Sequence, residues 1–312
     1  MIIAGIDEAG LGPALGPLCT CGAAFRLPEN ANAATPWDLF AGILGRDKKS
    51  SLPLVNDSKI VYTARGLAGL ELPVLAFAKN LPAAGKIPAG RDGFLKILGS
   101  PLVKNDLPPW YSGDTWELPA VTDAHAVTGL AGQLHAVPEA RLLAFSARVR
   151  TAKALNRDFS RGENKSSVAW KSVASLIKEF STLEPQQEET LMVIDKQGGR
   201  NFYAAMLGEI FDCPLVETLR ESADLSEYRI GHCRFMLVPR ADQSAFPVAL
   251  ARMLAKYLRE RFMNGLNRWF AERVPGLAPT AGYHGDAPRF YEAVKPVLLK
   301  NAIAVSDFWR LR

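Results

Sequence analysis

The sequence has few cysteines, few histidines and no long unbroken apolar run. Four cysteines among 312 residues are too few for a disulfide framework, which fits a reducing compartment. No uninterrupted apolar run reaches the roughly 18 residues of a membrane span, so we expect no membrane association. The N-terminus meets Asp7 and Glu8 after a few apolar residues, without the basic and apolar regions of a secretory signal. We therefore expect a cytoplasmic protein.

The composition is that of a globular chain. Apolar residues make up 48% of the sequence and charged residues 22%, both close to the globular average. The length allows two domains or one embellished domain. We interpret the chain as a single domain spanning 1–312, with an irregular insertion at about 81–138 and a helical C-terminal extension from about 246. In the insertion, Trp110, Tyr111 and Trp116 could stack on bases or pack beneath a loop.

Positive charge is concentrated in two segments of a chain whose net charge is +5. Residues 141–180 contain nine Lys or Arg against three Asp or Glu, and residues 251–312 contain eleven against five. Such asymmetry is expected of a protein that binds a polyanion such as nucleic acid. A solvated helix surface is the alternative explanation.

Strand-like and helix-like segments alternate along the chain, which predicts an α/β fold with helices on both faces of the sheet. A capping residue, Asp57 or Ser58, predicts a helix that starts near Lys59. The other predicted helices are 166–180, 202–211 and 246–274. The predicted strands are 2–6, 18–25, 74–77, 141–149, 190–195, 214–219 and 233–238.

Carboxylates follow two of the buried strands. Asp7 and Glu8 come directly after the first strand, and Asp195 ends another. Each strand is followed closely by glycines, and adjacent strands of this kind would place the acids at one edge of the sheet. Clustered carboxylates repel one another unless cations neutralise them, and Mg²⁺ or Mn²⁺ prefers oxygen ligands. Taken singly, each acid could instead be a helix cap or a turn residue.

Two other kinds of site are disfavoured. The Gly10-Leu11-Gly12 turn lacks the third glycine of a dinucleotide loop, and no Lys-Ser/Thr pair follows it as in a phosphate loop. The cysteines lack the paired spacing of a structural zinc site, so we expect buried free thiols.

Five short motifs, taken in chain order, resemble the type 2 ribonuclease H family, the ribonuclease HII enzymes. The opening signature of that family resembles Gly-Ile-Asp-Glu-Ala-Gly-Leu-Gly-Pro at 5–13, followed by Gly-Pro-Leu at 16–18. The remaining matches are Asn-Asp-Ser-Lys at 56–59, Val-Ile-Asp at 193–195, Ala-Asp at 241–242 with the helix that follows it, and Gly-Tyr-His-Gly-Asp at 282–286.

The resemblance implies a ribonuclease H-like mixed sheet and a site that binds Mg²⁺ or Mn²⁺, with two metal ions. Its four acids would be Asp7, Glu8, Asp195 and Asp242, which serve both as metal ligands and as the catalytic group. The implied activity is hydrolysis of the RNA strand of RNA–DNA hybrids, or of DNA with embedded ribonucleotides, leaving 5′-phosphate ends. We expect the protein to act as a monomer.

The resemblance also implies substrate-binding residues, and here the sequence departs from the family. Leu11 stands where the family has an arginine, and leucine can neither donate a hydrogen bond nor neutralise phosphate. A nuclease of altered specificity and a non-catalytic nucleic-acid-binding relative are therefore alternative interpretations. The implied substrate-binding residues are Gly10, Leu11, Gly12, Ser58, Lys59, Lys256 and Tyr283, with Arg259 as a further candidate for a phosphate contact.

Overall fold

A mixed β-sheet forms the centre of the computed structural model, which describes residues 1–81, 87–183 and 188–311. Across these residues the sheet has seven strands in the order β3-β2-β1-β4-β7-β6-β5. The strands β1, β4 and β7 are parallel neighbours, and the others pair antiparallel. The strands are β1 (Ile2–Ala9), β2 (Leu18–Arg26), β3 (Arg141–Arg150), β4 (Thr190–Asp195), β5 (Glu217–Glu221), β6 (Ser226–Ile230) and β7 (Cys233–Val238).

Helices cover both faces of the sheet, which confirms the predicted fold class. The long helix α9 packs on β1 and β2 together with α2, whereas α7 and α8 lie against the opposite face. The helices are α1 (Thr35–Leu39), α2 (Ser58–Lys79), α3 (Arg91–Ile97), α4 (Pro109–Ser112), α5 (Ala124–His135), α6 (Ala152–Phe159), α7 (Lys165–Phe180), α8 (Ala204–Phe211), α9 (Phe246–Ala271), α10 (Ala287–Lys300) and α11 (Val305–Phe308).

Three predictions of local structure are wrong. The segment 74–77 is the end of α2 and not a strand, because its short apolar run is a helix surface buried against the core. The first strand continues through Asp7 and Glu8 to Ala9, since its pairing with β2 extends that far. The exposed β5 begins at Glu217 and ends at Glu221, so Pro214 lies before it.

The insertion at 81–138 is more regular than expected, since α3, α4 and α5 lie within it; its residues 82–86 lie outside the described residues. Buried Glu71 of α2 anchors it by accepting hydrogen bonds from the backbone N–H groups of Ala120, Val121 and Thr122, each at 2.8 Å. The aromatic residues at 110, 111 and 116 are also buried. These residues pack within the core, so they are not available to stack on bases.

In the described part of the chain, one helix, α2, is long and apolar enough to cross a membrane by length and composition alone. Its charged residues interrupt any continuous apolar run. The chain kinks at Gly66, whose φ is +61°, and the helix also contains Pro73. The residues from Leu70 to Ala78 belong largely to the protein core.

The sheet and α9 approach each other closely at Gly5. A Cβ atom on Gly5 would overlap the backbone of Pro247 and Val248 in the first turn of α9. Because Gly5 has no side chain, the first turn of α9 can pack directly against the backbone of β1.

We predict that Gly5→Ala destabilises the protein by about 1–3 kcal/mol or more, because the new methyl group must push α9 away from β1. Denaturant unfolding would measure the loss. The matched control is Gly129→Ala in α5, where nothing lies within 4 Å of the added Cβ. That substitution should stabilise the protein by about 0.5–1 kcal/mol. Equal stability of wild type and Gly5→Ala would contradict the close approach.

Candidate active site

The carboxyl ends of three neighbouring parallel strands bring the four predicted acids together. Asp7 and Glu8 lie near the end of β1, and Asp195 is the last residue of β4. Asp242 lies in a single 3₁₀ turn, Ala241–Gln243, between the end of β7 and the start of α9. Because β1, β4 and β7 run in the same direction, their ends meet at one edge of the sheet.

Asp7 is the most deeply buried of the four acids, at 1% exposure. Its Oδ1 atom accepts hydrogen bonds from the backbone N–H of Glu8, at 2.6 Å, and from Nη1 of Arg252, at 2.8 Å. Its Oδ2 atom is buried and has no hydrogen-bond partner among the described residues. A buried carboxylate oxygen left without a partner is costly unless something else satisfies it.

The other acids are held by polar contacts from nearby loops. Oε2 of Glu8 accepts a hydrogen bond from Nε2 of Gln197 at 3.2 Å. Oδ1 of Asp195 accepts one from the backbone N–H of Ala241 at 2.9 Å, which ties the end of β4 to the turn carrying Asp242. These contacts leave each carboxylate with further lone pairs for a ligand.

Burial raises the pKa of all four carboxyl groups above the usual range. For Asp7 the rise is large; the guanidinium of Arg252 opposes it, whereas the charges of Glu8 and Asp195 add to it. Arg252 also lowers the pKa of the other three carboxyl groups, so its positive charge acts on the whole cluster. The four acids repel one another in a place where water screens them poorly.

The donor set suits a hard divalent cation. All four side chains offer carboxylate oxygens, the ligands that Mg²⁺ and Mn²⁺ prefer, and the unpartnered Oδ2 of Asp7 is a buried acceptor that a cation would satisfy. Within the described ranges, no three His, Cys, Asp or Glu side chains converge closely enough to hold an ion in this conformation. Of the four cysteines, which form no disulfide among the described residues, Cys19, Cys21 and Cys233 are buried and Cys213 is half-buried.

Sequence reasoning did not single out two charged residues of the site. In the sequence, Arg252 is one of several basic residues at helical spacing along α9. Only the fold shows that it lies among the acids. Asp57 caps α2 by accepting a hydrogen bond from the backbone N–H of Lys59 at 2.8 Å. Its charge also raises the pKa of Asp242, so a fifth carboxylate lies near the cluster.

The residues predicted to contact substrate differ in how accessible they are. Lys59 is exposed at the start of α2, but Ser58 is 1% exposed and its hydroxyl is buried. Lys256 forms an ion pair with Glu260, at 2.6 Å between Nζ and Oε1. Arg259 is 2% exposed, so in this conformation it is not placed to contact phosphate.

The glycine-rich loop from Gly10 to Gly16 lies beside the acids. Leu11 packs against an apolar cluster on α6 and α7, so the position occupied by arginine in the ribonuclease HII family is used for packing here. Gly10 has a φ of +91°, and a Cβ there would meet the carbonyl oxygen of Pro17 at 2.5 Å. Gly12 is exposed with open space around it, which leaves the backbone accessible to a ligand.

A second turn docks on this loop and presents Tyr283. The carbonyl of Gly282 accepts hydrogen bonds from the backbone N–H groups of Ala14, at 2.9 Å, and Leu15, at 3.1 Å. The ring of Tyr283 is 52% exposed and lies 5.5 Å from the guanidinium carbon of Arg259. The predicted aromatic contact is therefore held at the surface, next to the loop.

A buried arginine from the end of the chain holds the loop from within. Arg310, at 4% exposure, donates hydrogen bonds to the carbonyl oxygens of Gly10, Pro13 and Gly16. Burial, together with the nearby charge of Arg259, lowers the pKa of Arg310 to about 9, so it is charged at neutral pH. The loop carbonyls are the groups that stabilise this charge.

Much of the positive charge in the two basic segments is used inside the protein. In the first segment, Arg148 pairs with Glu179 and Arg150 with Asp158. In the second, Arg259, Arg261 and Arg310 are buried. The charge asymmetry of the sequence therefore overstates the basic surface that could face a polyanion.

No protein-family model and no curated protein matches the chain. Among solved structures, it is similar to ribonuclease HII of Archaeoglobus fulgidus in its complex with PCNA (TM-score 0.46, 15% identity, 100% of this chain and 95% of that chain covered). It is also similar to ribonuclease H2 of Pyrococcus horikoshii OT3, with a TM-score of 0.45 and 14% identity over 97% of this chain and 89% of that chain. For Bst ribonuclease HIII with Mn²⁺, the TM-score is 0.43 and the identity 13%, over 100% of this chain and 66% of that chain. At such low identity these likenesses concern the fold, and function has to be inferred from the side chains of this chain.

We predict that Glu8→Gln makes the metal-free protein more stable at pH 8 and that this advantage shrinks as the pH falls. Burial raises the pKa of Glu8 in the folded chain, so the folded wild type binds a proton more readily than the unfolded chain does. At a pH above the raised pKa, the ionised carboxyl group of Glu8 therefore destabilises the fold. At a pH below the pKa that Glu8 has in the unfolded chain, the group is protonated in both states and does not affect stability. Thermal unfolding with a chelator present, between pH 8 and pH 4, measures the difference between the two proteins.

The exposed Glu292→Gln substitution is the control for this pH series, and it should change stability by less than about 0.5 kcal/mol. A Glu8→Gln advantage that grows towards acid pH would contradict the prediction.

We predict that Arg310→Met costs at least about 2 kcal/mol of stability, because it leaves buried loop carbonyls without a donor. The exposed Lys300→Met is the matched control and should change stability by less than about 0.5 kcal/mol. Denaturant unfolding measures both, and limited proteolysis should show earlier cleavage near Gly12 in Arg310→Met alone. Equal stability of the two variants would show that Arg310 does not support the loop.

Proposed function

We propose that this protein is a divalent-metal-dependent endonuclease that hydrolyses the RNA strand of RNA–DNA hybrids. The observation that carries the proposal is the placement of Asp7, Glu8, Asp195 and Asp242 at one edge of the sheet, close enough for their charges to act on one another. Among the described residues, the buried Oδ2 atom of Asp7 has no hydrogen-bond partner. A cluster of raised-pKa carboxylates in this position is costly for the fold, so a functional role explains it better than stability does.

The four carboxylates would hold the metal ions. Bound divalent ions lower the pKa of an attacking water and stabilise the leaving oxygen of a phosphodiester. Asp7 and Asp195 project from strands whose ends are fixed by the sheet, so they would set the position of the site. Asp242 lies on a short turn that the hydrogen bond from Ala241 to Asp195 fixes to β4.

The neighbouring surface suits a nucleic-acid strand. Gly12 leaves the loop backbone open, and the exposed ring of Tyr283 offers a flat apolar surface for a sugar or a base. Lys59 is an exposed cation that could contact phosphate. Together these groups would bind the strand whose phosphodiester lies over the acids.

The packing of Leu11 favours altered specificity as a second candidate. In the apolar cluster on α6 and α7, this side chain can offer no charge to a phosphate beside a single ribonucleotide. We therefore expect a continuous RNA–DNA hybrid to be a better substrate than a DNA duplex with one embedded ribonucleotide.

A non-catalytic hybrid-binding protein is the remaining candidate. The ion pair between Arg252 and Asp7 favours it, because this pair already neutralises part of the acid cluster. Such a protein would bind hybrids in a salt-dependent way without cleaving them at any concentration of Mg²⁺ or Mn²⁺.

We predict that Asp195→Asn lowers the rate of hybrid cleavage at least about a hundredfold, because it removes one charged ligand and a few kcal/mol of transition-state stabilisation. The assay compares an RNA–DNA hybrid with a DNA duplex that contains one ribonucleotide, each with Mg²⁺, with Mn²⁺ and with a chelator. Cleavage should require metal and leave 5′-phosphate ends.

Glu139→Gln is the control for the cleavage assay, since Glu139 is exposed just before β3, at the end of the sheet opposite to the acids. It should cleave at the wild-type rate. Cleavage that survives both Asp7→Asn and Asp195→Asn, or cleavage without metal, would contradict the proposed function. Salt-dependent binding without any cleavage would favour the non-catalytic candidate.

A further inference from the structure

We propose that the guanidinium of Arg252 takes the place of one of two cations in the acid cluster, so that the site loads a single divalent ion. This inference rests on the proposed function and concerns the number of ions that the four carboxylates accept. Its evidence is the position of one arginine side chain among the acids.

The position of Arg252 is fixed by its helix and by two hydrogen bonds. Its neighbours Ala251 and Met253 are fully buried in α9, so the backbone at Arg252 cannot move without disturbing the core. Nη1 of Arg252 lies 2.8 Å from Oδ1 of Asp7 and 2.7 Å from the carbonyl oxygen of Glu8. The guanidinium therefore bonds to the carboxylate of Asp7 and to the backbone of Glu8.

The charge of Arg252 also acts on Glu8 and Asp242. Burial opposes the charged form of Arg252, but Asp7, Glu8 and Asp242 outweigh it, and the pKa of Arg252 rises above its ordinary value. No other Lys or Arg among the described residues forms an ion pair with any of the four acids. Arg252 thus supplies a positive charge from the protein itself at the place where a metal ion would bind.

The contacts of Arg252 limit what can be added. With Asp57 nearby as a fifth carboxylate, net charge alone would allow two divalent ions, so the limit lies in the oxygens that Arg252 occupies. A second divalent ion would also lie beside a partly buried guanidinium of the same sign, which is unfavourable where water screens poorly. Two ions in such sites lie about 3.5–4 Å apart, so a guanidinium bonded to Asp7 would compete with one of them for the same oxygens.

The remaining edge of the guanidinium could contact a substrate. Both hydrogen bonds of Arg252 use Nη1, and in the described part of the chain no partner is found for its other two nitrogens. The side chain is 23% exposed. A phosphate lying over the acids would therefore meet one metal ion and a planar donor, which suits a charged oxygen.

The experiment counts bound Mn²⁺ by electron paramagnetic resonance and calorimetry, without nucleic acid. We expect one tightly bound ion per wild-type chain and two per Arg252→Met chain, since methionine keeps the apolar stem and removes the charge. Arg252→Lys, which keeps the charge, should bind one. Asp7→Asn should weaken the binding of Mn²⁺ at least tenfold in the Arg252→Met background.

Arg268→Ala is the matched control, because Arg268 lies on the same helix about 24 Å further along. It should bind one ion, as the wild type does. Two tightly bound ions in the wild type, which can be counted whether or not any variant folds, would overturn the inference and leave the proposed function intact. One ion in a folded Arg252→Met protein would also overturn it. A complete lack of Mn²⁺ binding by wild type and Arg252→Met would instead overturn the proposed function.

Discussion

The rest of this structure depends on holding four carboxylates close to one another where water solvates them poorly. Four carboxylates lie at one edge of the sheet, near the ends of three parallel strands, where burial raises their pKa values and water cannot screen them well. The sheet fixes where Asp7 and Asp195 lie, and Gly5 lets α9 come close enough to place Arg252 among them. Without a cation from the protein or from solution, this edge of the sheet would be a liability for the fold.

The same helix serves both parts of the proposed site. Arg252 contacts the acids, and Arg259, seven residues further along α9, lies beneath the glycine-rich loop and the ring of Tyr283. Residues seven apart lie on one side of an α-helix, about 10 Å from each other along its axis. A movement of α9 would therefore disturb the proposed metal ligands and the glycine-rich loop together. The distance between these two parts of the proposed site thus depends on one helix.

The sequence predicts most of what depends on local pattern, and it fails where partners are distant along the chain. The acid at the end of β4 and the capping residue Asp57 follow from strand and helix rules, and the structure places both as expected. The segment 74–77 was indistinguishable from a strand, because a short apolar run suits a buried helix equally well. The roles of Arg252 and Arg310 depend on contacts with residues more than 240 positions away, which no local pattern encodes.

The hydrogen bonds from Arg310 to the glycine-rich loop have a consequence for the order in which the protein folds. Its hydrogen bonds to the glycine-rich loop join residues 294 to 300 positions apart, among the largest separations in the chain. Contacts that close such long loops form late, because the entropy of closure must be overcome before the contact contributes anything. The hairpin of β1 and β2 can form from neighbouring residues, but the loop between those strands reaches its final shape only when Arg310 has packed beneath it. During refolding, the hairpin of β1 and β2 would thus precede the final shape of the loop that joins its strands.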